Sequence, residues 1–222
     1  MVVLAALATG CSQPEKGTVA NEPTALQYAW QFASSIDNDD KDRAACRERT
    51  VEAYAAGGRI DLALKLSRQI QNWRKGQAMA HVASALAAEG RSEEADALLR
   101  EADAFAWTIK GWQRDHLQIQ LGHTRAMLEL EAAVAQLLDT YRRDQDYRGK
   151  ISAYHALALA RRGDVEEGFA VLDKLAGEET FGDTVGRTEG YLLLATKGGL
   201  DATRKTNAIE RAWQAASRVP GY

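Results

Sequence analysis

Proline is nearly missing from this chain. Only three prolines occur in 222 residues, and none lies between Thr24 and Val219. Because proline ends or kinks helices, its absence leaves a long stretch in which helices can form without interruption. Valine and isoleucine, which strands favour, are also few, whereas alanine, leucine, glutamate, arginine, lysine and glutamine fill most positions. The composition excludes a sheet protein and predicts an all-α fold.

The chain also lacks an excess of positive charge and the short motifs of common enzymes. Its formal net charge is -3, with basic and acidic residues mixed along the sequence. This charge gives none of the basic character that nucleic-acid binding requires. A phosphate-binding loop, an H-E-x-x-H zinc motif, a C-x-x-C pair and a G-x-S-x-G elbow are all absent. We therefore expect no nucleic-acid partner, no cofactor, no metal and no catalysis.

Cysteine is limited to Cys11 and Cys46. Residues 1–10 (MVVLAALATG) are apolar and small, and they run directly into Cys11. This segment resembles a bacterial lipoprotein signal, although Ala8 stands where such signals usually carry leucine and no Lys or Arg precedes the apolar run. The apolar stretch is about half of the ~20 residues that a membrane helix needs. An ordinary hydrophobic helix start is the alternative.

The resemblance implies a signal in residues 1–11, a flexible tether in residues 12–23 and a lipid on Cys11. The protein would then sit in the bacterial cell envelope, facing the periplasm at the outer membrane. If Cys11 carries lipid, Cys46 has no partner for an intrachain disulfide. We expect Cys46 to be a small buried hydrophobic residue, since no histidine lies near it in sequence to make it a nucleophile.

A repeated pattern of small residues, a turn glycine, acidic residues and Ala-x-x-Leu runs through the rest of the chain. It is clear around Gly58, Gly90 and Gly163, recurs at Gly199, and has a weaker copy centred near Met127 without a glycine. By subtraction, the centres lie 32, 37, 36 and 36 residues apart. That spacing is the length of a helix pair with two short turns. The glycine caps the first helix, and the acids that follow suit the start of the second.

Five residues after the turn glycine comes a small side chain, Ala63, Ala95 or Gly168. This arrangement resembles the tetratricopeptide repeat over roughly residues 24–217. The resemblance implies a right-handed superhelical α-solenoid of about five antiparallel helix pairs within residues 24–219. Residues 24–37 are expected to form a lone capping helix. A helix at residues 209–217 should close the array, with Trp213 packed inward.

In that family, first-helix positions at fixed distances before the turn glycine line a concave ligand groove. Counting back thirteen, six and two residues from each turn places eight groove residues here: Gln77, Arg114, Lys150, Leu121, Leu157, Arg125, Arg161 and Lys197. The resemblance implies a protein or peptide partner, and the cations beside leucines suit an acidic amphipathic segment. Local pairing of these cations with nearby acids is the alternative.

Other candidates remain beside this groove. His116 and His123 share a helix face and could form a weak metal site, or one could be exposed and the other packed. Trp73 and Trp107 are expected to join adjacent units, whereas Trp112 suits an exposed interaction anchor equally well. The leading hypothesis is a lipid-anchored interaction scaffold or accessory subunit. The alternatives are an envelope enzyme that acts on cell-wall glycan inside a helical shell, and a structural subunit of a permanent oligomer.

Overall fold

The computed structural model describes residues 25–36, 40–177 and 180–218. These residues contain eleven α-helices and one short 3-10 helix at Leu175–Gly177, and the described ranges contain no strand. The helices are α1 (Ala25–Ser34), α2 (Asp40–Ala56), α3 (Ile60–Ser67), α4 (Arg74–Ala88), α5 (Ser92–Ala106), α6 (Trp112–Met127), α7 (Glu131–Thr140), α8 (Gln145–Arg161), α9 (Val165–Lys174), α10 (Phe181–Lys197) and α11 (Ala202–Ala216).

The helices follow one another as a single helix and five pairs. Helix α1 packs on α2, and the pairs α2/α3, α4/α5, α6/α7, α8/α9 and α10/α11 form units one to five. Each first helix also contacts the first helix of the next unit, so that α2, α4, α6, α8 and α10 form a continuous inner layer. The predicted all-α solenoid, with five helix pairs and a preceding N-terminal helix, is confirmed.

The turns inside the units have the predicted left-handed backbone. Gly58, Gly90, Gly163 and Gly199 have φ of 72°, 77°, 100° and 71°. The amide that follows the first three of these glycines donates to a carbonyl five residues earlier, as in Arg91 N to Leu86 O at 2.9 Å. This hydrogen bond closes the C-terminal end of the first helix. The left-handed backbone that it requires would be strained in a residue with a side chain. The acids placed by the sequence pattern lie in the first turns of α3, α5 and α9.

The third turn lies at Glu129, two residues after the predicted centre at Met127. Glu129 has φ of 59°, and Leu130 N donates to Arg125 O at 2.9 Å, the same bond that follows the turn glycines. Helix α6 therefore continues as far as Met127, the residue at which the turn was predicted. The missing glycine removed the signal that marks the turn, and the spacing alone placed it two residues too early.

The small residues of the repeat lie at the helix crossings. Ala63 and Ala95 are fully buried, and Gly168 is also buried. A Cβ on Gly168 would lie 2.8 Å from the carbonyl oxygen of Ala156 in the facing helix. The predicted exclusion of bulk at these positions is confirmed.

Two residues predicted to be buried, Cys46 and Trp213, are exposed, and so is Trp107. On α2 the buried positions Ala44, Glu48 and Val51 follow helical spacing, and Cys46 falls on the opposite face. On α11 the face toward α10 is built from alanines, and Trp213, which is 76% exposed, lies outside it. Trp107 is 68% exposed and has the guanidinium of Arg114 at 5.7 Å from its ring. The predicted burial of Cys46 and Trp213 was wrong, whereas Trp107, predicted to join adjacent units, contacts Arg114 of the next unit from an exposed position.

Candidate functional site

The inner layer of first helices encloses a cavity of about 680 Å³, which we call the central groove. All five units contribute to it. Its lining side chains include Glu52, Ala56, His81, Ser84, Ala88, Glu89, Gln120, His123, Met127, Lys150, Tyr154, Glu189, Leu193 and Lys197. A groove that receives a side chain from every repeat can contact an extended ligand along its whole length.

The groove residues occupy equivalent positions in successive units. Counted from the turn residues Gly58, Gly90, Glu129, Gly163 and Gly199, the positions nine, six and two residues before the turn recur in the lining. Nine before are His81, Gln120 and Tyr154; six before are Glu52, Ser84, His123 and Leu193; two before are Ala56, Ala88, Met127 and Lys197. The pattern holds in unit three only when the turn is placed at Glu129.

A chain of hydrogen bonds crosses the groove between units five, three and two. Lys197 Nζ lies 3.3 Å from His123 Nε2, and His123 Nδ1 lies 3.2 Å from Ser84 Oγ. Ser84 Oγ is 2.9 Å from Thr124 Oγ1, which donates to Ala80 O at 3.1 Å. Every bond is satisfied if the lysine donates to Nε2, the imidazole donates through Nδ1, and Ser84 donates to Thr124. The network assigns the Nδ1–H tautomer to His123.

Burial and positive neighbours keep the His123 imidazole neutral. Burial is the main cause that lowers the pKa of His123 to about 3, and the charges of Lys197, His81 and Lys150 lower it further. Burial also lowers the pKa of Lys197 and raises the pKa of the Tyr154 hydroxyl. The cationic side chains closest to His123 in the groove lining are Lys150 and Lys197.

The two lysines are available to a ligand carboxylate. Within the described part of the chain, neither Lys150 nor Lys197 has an ion-pair partner within 4 Å. Glu52 and Glu89 belong to units one and two, Glu189 belongs to unit five with Lys197, and the apolar side chains come from units three, four and five (Met127, Tyr154 and Leu193). The groove thus combines two lysines from units four and five with apolar side chains, and its acids come from units one, two and five.

Of the eight residues predicted to line the groove, Lys150 and Lys197 do so. Arg161 lies beside it, where Nη1 donates to the carbonyl oxygen of Lys197 at 3.3 Å and Nη2 lies 3.6 Å from Glu129 Oε1. Leu121 and Leu157 are fully buried in the core and do not line the groove. These leucines hold the inner layer together, which leaves no surface for a ligand.

The remaining three predicted residues lie away from the groove. Gln77 is buried close to the Glu48 carboxylate and His116. Arg125 Nη2 donates to Asp103 Oδ1 of the neighbouring unit at 2.9 Å. Arg114 lies over Trp107 with Asp115 at 3.8 Å, the local pairing that was the alternative. The prediction counted back from Met127 and so selected Arg114, Leu121 and Arg125. Counting back from the turn at Glu129 gives His116, His123 and Met127 for the same positions.

Sequence reasoning missed most of the groove because small and neutral residues line much of it. Ser84, Gln120 and Tyr154 carry no motif, and only the repeat register places them together. His123 was considered for a metal site, but its ring nitrogens bond to Lys197 and Ser84 instead. His116 lies apart, with its ring 5.8 Å from that of Trp73. In the ranges that the structure describes, no three His, Cys, Asp or Glu side chains cluster as metal ligands would.

Trp73 and Trp112 form the predicted contact between units, with ring centroids 5.3 Å apart in an edge-to-face arrangement. Trp112 remains 60% exposed.

None of the helices described here is long and apolar enough to span a bilayer.

Comparison with known proteins identifies the repeat. The family model of the tetratrico peptide repeat matches residues 42–105 and 102–178, together more than half of the chain. Searches of curated proteins and of solved structures found no match. The matched residues begin in α2 and extend past the end of α9, across the first four units described above. The chain therefore belongs to the tetratrico peptide repeat family, whose repeats generally mediate protein–protein interactions.

Proposed function

We propose that this protein is an interaction scaffold that binds a segment of a partner protein in the central groove. The observation that carries the proposal is that all five first helices line one cavity of about 680 Å³, with three positions that recur in three or four of the units. Such a surface suits an extended or helical segment, since each unit supplies one contact.

The charges of the groove favour an acidic amphipathic segment. Lys150 and Lys197 would bind its acidic side chains, while Met127, Tyr154 and Leu193 would pack on its apolar ones. Glu52 and Glu89 at the other end would repel acids and favour a basic residue. The segment would thus bind in one direction, with its acidic end at units four and five.

A catalytic role is less well supported by the same side chains. A general base works best when its pKa is close to the ambient pH, and the pKa of His123 is lowered to about 3. The imidazole accepts from Lys197 and is poorly placed to take a proton from Ser84. We therefore propose binding without catalysis.

The groove can be tested with a photo-crosslinking residue introduced at Leu193, inside the cavity, and separately at Ile209, which is 48% exposed on α11. In the native host, the Leu193 position should crosslink one defined partner, and the Ile209 position should not. The Lys150→Glu/Lys197→Glu variant should lose this crosslink, whereas Lys205→Glu, an exposed lysine of α11, should keep it. Equal crosslinking by both charge variants would refute binding at the lysine end of the groove.

We further propose that the scaffold is held in a bacterial envelope by a lipid on Cys11, which lies outside the described residues. The support is the apolar segment MVVLAALATG followed directly by cysteine and then a polar tether. Mature protein should begin at Cys11 and sediment with membranes, and Cys11→Ser should release or misprocess it. Soluble protein that retains Met1 in the native host would contradict this part of the proposal without affecting the groove.

A further inference from the structure

The loops that connect successive units lie along one edge of the solenoid. Antiparallel pairs alternate direction, so the α3–α4, α5–α6 and α7–α8 loops come to the same edge, and the turns inside the units come to the opposite one. Contacts between neighbouring loops confirm the alignment. Trp73 before α4 packs on Trp112 at the start of α6. Tyr141, after α7, donates to Asp115 Oδ1 in α6 at 2.9 Å.

This edge exposes two tryptophans among cations. Trp107 and Trp112 flank the α5–α6 loop and are 68% and 60% exposed. Lys110 lies between them and is exposed, as is Arg143 in the α7–α8 loop, and Arg114 lies over the Trp107 ring. We call Trp107, Lys110, Trp112, Arg114 and Arg143 the edge patch. None of these residues lines the central groove.

Acidic residues are distributed unequally between the two edges of the solenoid. Residues 68–75 and 107–114 contain five Lys and Arg and no Asp or Glu, and the α7–α8 loop adds Arg142, Arg143 and one acid, Asp144. Arg68 and Arg74 are paired with Glu101 and Glu48, and the nearest carboxylate to Arg114 is that of Asp115 at 3.8 Å. The first turns of the second helices, at the opposite edge, contain Asp61, Glu93, Glu94, Glu131, Glu166 and Glu167. A negatively charged surface would therefore be attracted to the loops before α4 and α6, whereas Arg91, Arg162 and Arg204 neutralise part of the acidic charge at the opposite edge.

We infer that the edge patch docks on the surface of an anionic lipid bilayer. Tryptophan is suited to the boundary between lipid and water, because its ring is apolar and its N–H is polar. Lysine and arginine beside it add attraction to anionic headgroups. A series of loops along one edge can meet a flat bilayer at several points, whereas a peptide would be expected in a groove. This contact is independent of any lipid on Cys11.

The test uses the full chain with Cys11→Ser, so that no acyl chain contributes to binding. Sedimentation is measured with vesicles of phosphatidylcholine alone and with vesicles in which about a third of the lipid is phosphatidylglycerol. We expect binding to the anionic vesicles only, together with a blue shift of tryptophan fluorescence. Because each cation near an anionic surface contributes about fivefold to partitioning, Lys110→Glu/Arg114→Glu should weaken binding by at least twentyfold. Trp107→Ala/Trp112→Ala should remove the blue shift caused by vesicles.

Matched controls lie on α11 at the C-terminal end of the array. Trp213→Ala removes a tryptophan that is 76% exposed, and Lys205→Glu reverses an exposed lysine, so both should leave vesicle binding unchanged. Lys150→Glu, in the groove, should also leave it unchanged, which separates this inference from the proposed partner site. The inference would be overturned by absence of binding to anionic vesicles, by equal loss in the α11 controls, or by an edge patch that binds a poly-glutamate peptide but no vesicles.

Discussion

Glu129 occupies the turn position of the third unit, where the other units have glycine. Its φ of 59° places a side chain in the left-handed region, and among the described residues no other non-glycine residue has a positive φ. An L-residue there costs about 1–2 kcal/mol, because Cβ approaches the following carbonyl oxygen. The side chain gains only a distant ion pair with Arg161, at 3.6 Å. The third turn is therefore a local weak point of the repeat.

Replacing Glu129 by glycine should stabilise the protein. Relief of the left-handed strain exceeds the backbone entropy that glycine adds to the unfolded chain, so we expect a gain of about 0.5–1 kcal/mol in the free energy of unfolding. Urea denaturation followed by circular dichroism measures it. The control is Glu89→Gly, one residue before a turn glycine, where φ is -82° and glycine should destabilise. A gain at both positions would show that loss of negative charge, and not backbone strain, is responsible.

His123 should make stability depend on pH in the mildly acidic range. Its pKa is about 6.5 in an unfolded chain and is lowered to about 3 in the fold. Between these values the unfolded state binds the additional proton, so stability falls as the pH decreases from about 6.5 toward 3. From pH 7 to pH 5 the native protein should lose about 1–2 kcal/mol more than His123→Gln. Urea unfolding at both pH values measures the difference, and equal losses would mean that His123 is protonated in the folded state.

At the scale of the elements, α8 and α10 make the closest helix contact of the array. Gly149 and Gly186 face each other there, and a Cβ on Gly186 would overlap the backbone atoms of Gly149. Backbone atoms cannot rotate aside as a side chain does, so the two helices would have to separate. The glycines are thus required by the approach of the helices and not by a turn.

Gly186→Ala should cost about 3 kcal/mol or more in the free energy of unfolding, at the upper end of overpacking changes. Gly90→Ala is the matched control. It has no neighbouring atom within 4 Å of the added Cβ, and its φ of 77° gives only the strain of about 1–2 kcal/mol. Thermal unfolding ranks the two variants. If Gly90→Ala were the more damaging change, the packing explanation would be incorrect.

The helices and their pairing could be predicted because each unit repeats the same local physics. Gly58, Gly90 and Gly163 mark the turns, and the small residues after them mark the crossings. The groove was harder to predict, because its register depends on every turn being placed correctly and Glu129 has no turn signature. The burial of Leu121 and Leu157, which lie six residues before the predicted turns at Met127 and Gly163, also could not be predicted by counting along one helix. Pairing between units, such as Arg125 with Asp103, is invisible in the sequence.

At the scale of the whole molecule, the core falls into two clusters. One extends from Ala44 to Ala158 through units one to four, and the other, from Ala156 to Ala212, belongs to units four and five. Stability in such arrays is approximately a sum over units and their interfaces, so a weakened interface lets an end unit open alone. The bond between Lys197 and His123 reaches across the groove from unit five to unit three. Opening of the last unit would therefore also remove one wall of the groove.

The interface between units four and five contains a buried ion pair whose loss should release unit five. Asp183 is fully buried and accepts from Arg148 Nε at 3.0 Å and Nη2 at 2.5 Å. Asp183→Asn keeps the shape but removes the buried negative charge that pairs with Arg148, which should cost about 3–5 kcal/mol. The matched control, Asp173→Asn, removes the charge of a half-exposed partner of Arg211 but keeps an oxygen that can accept from the Tyr191 hydroxyl, so it should cost less than about 1 kcal/mol.

Hydrogen exchange under native conditions distinguishes a local from a global effect of that loss. In Asp183→Asn, the amides of α10 and α11 should lose protection, while those of α4 and α5, which lie in the other cluster, should keep the protection of the native protein. Groove binding should weaken in parallel, because Leu193 and Lys197 belong to the unit that opens. A uniform loss of protection across all the helices would show instead that the five units unfold as one cooperative body, with the buried pair stabilising the whole array.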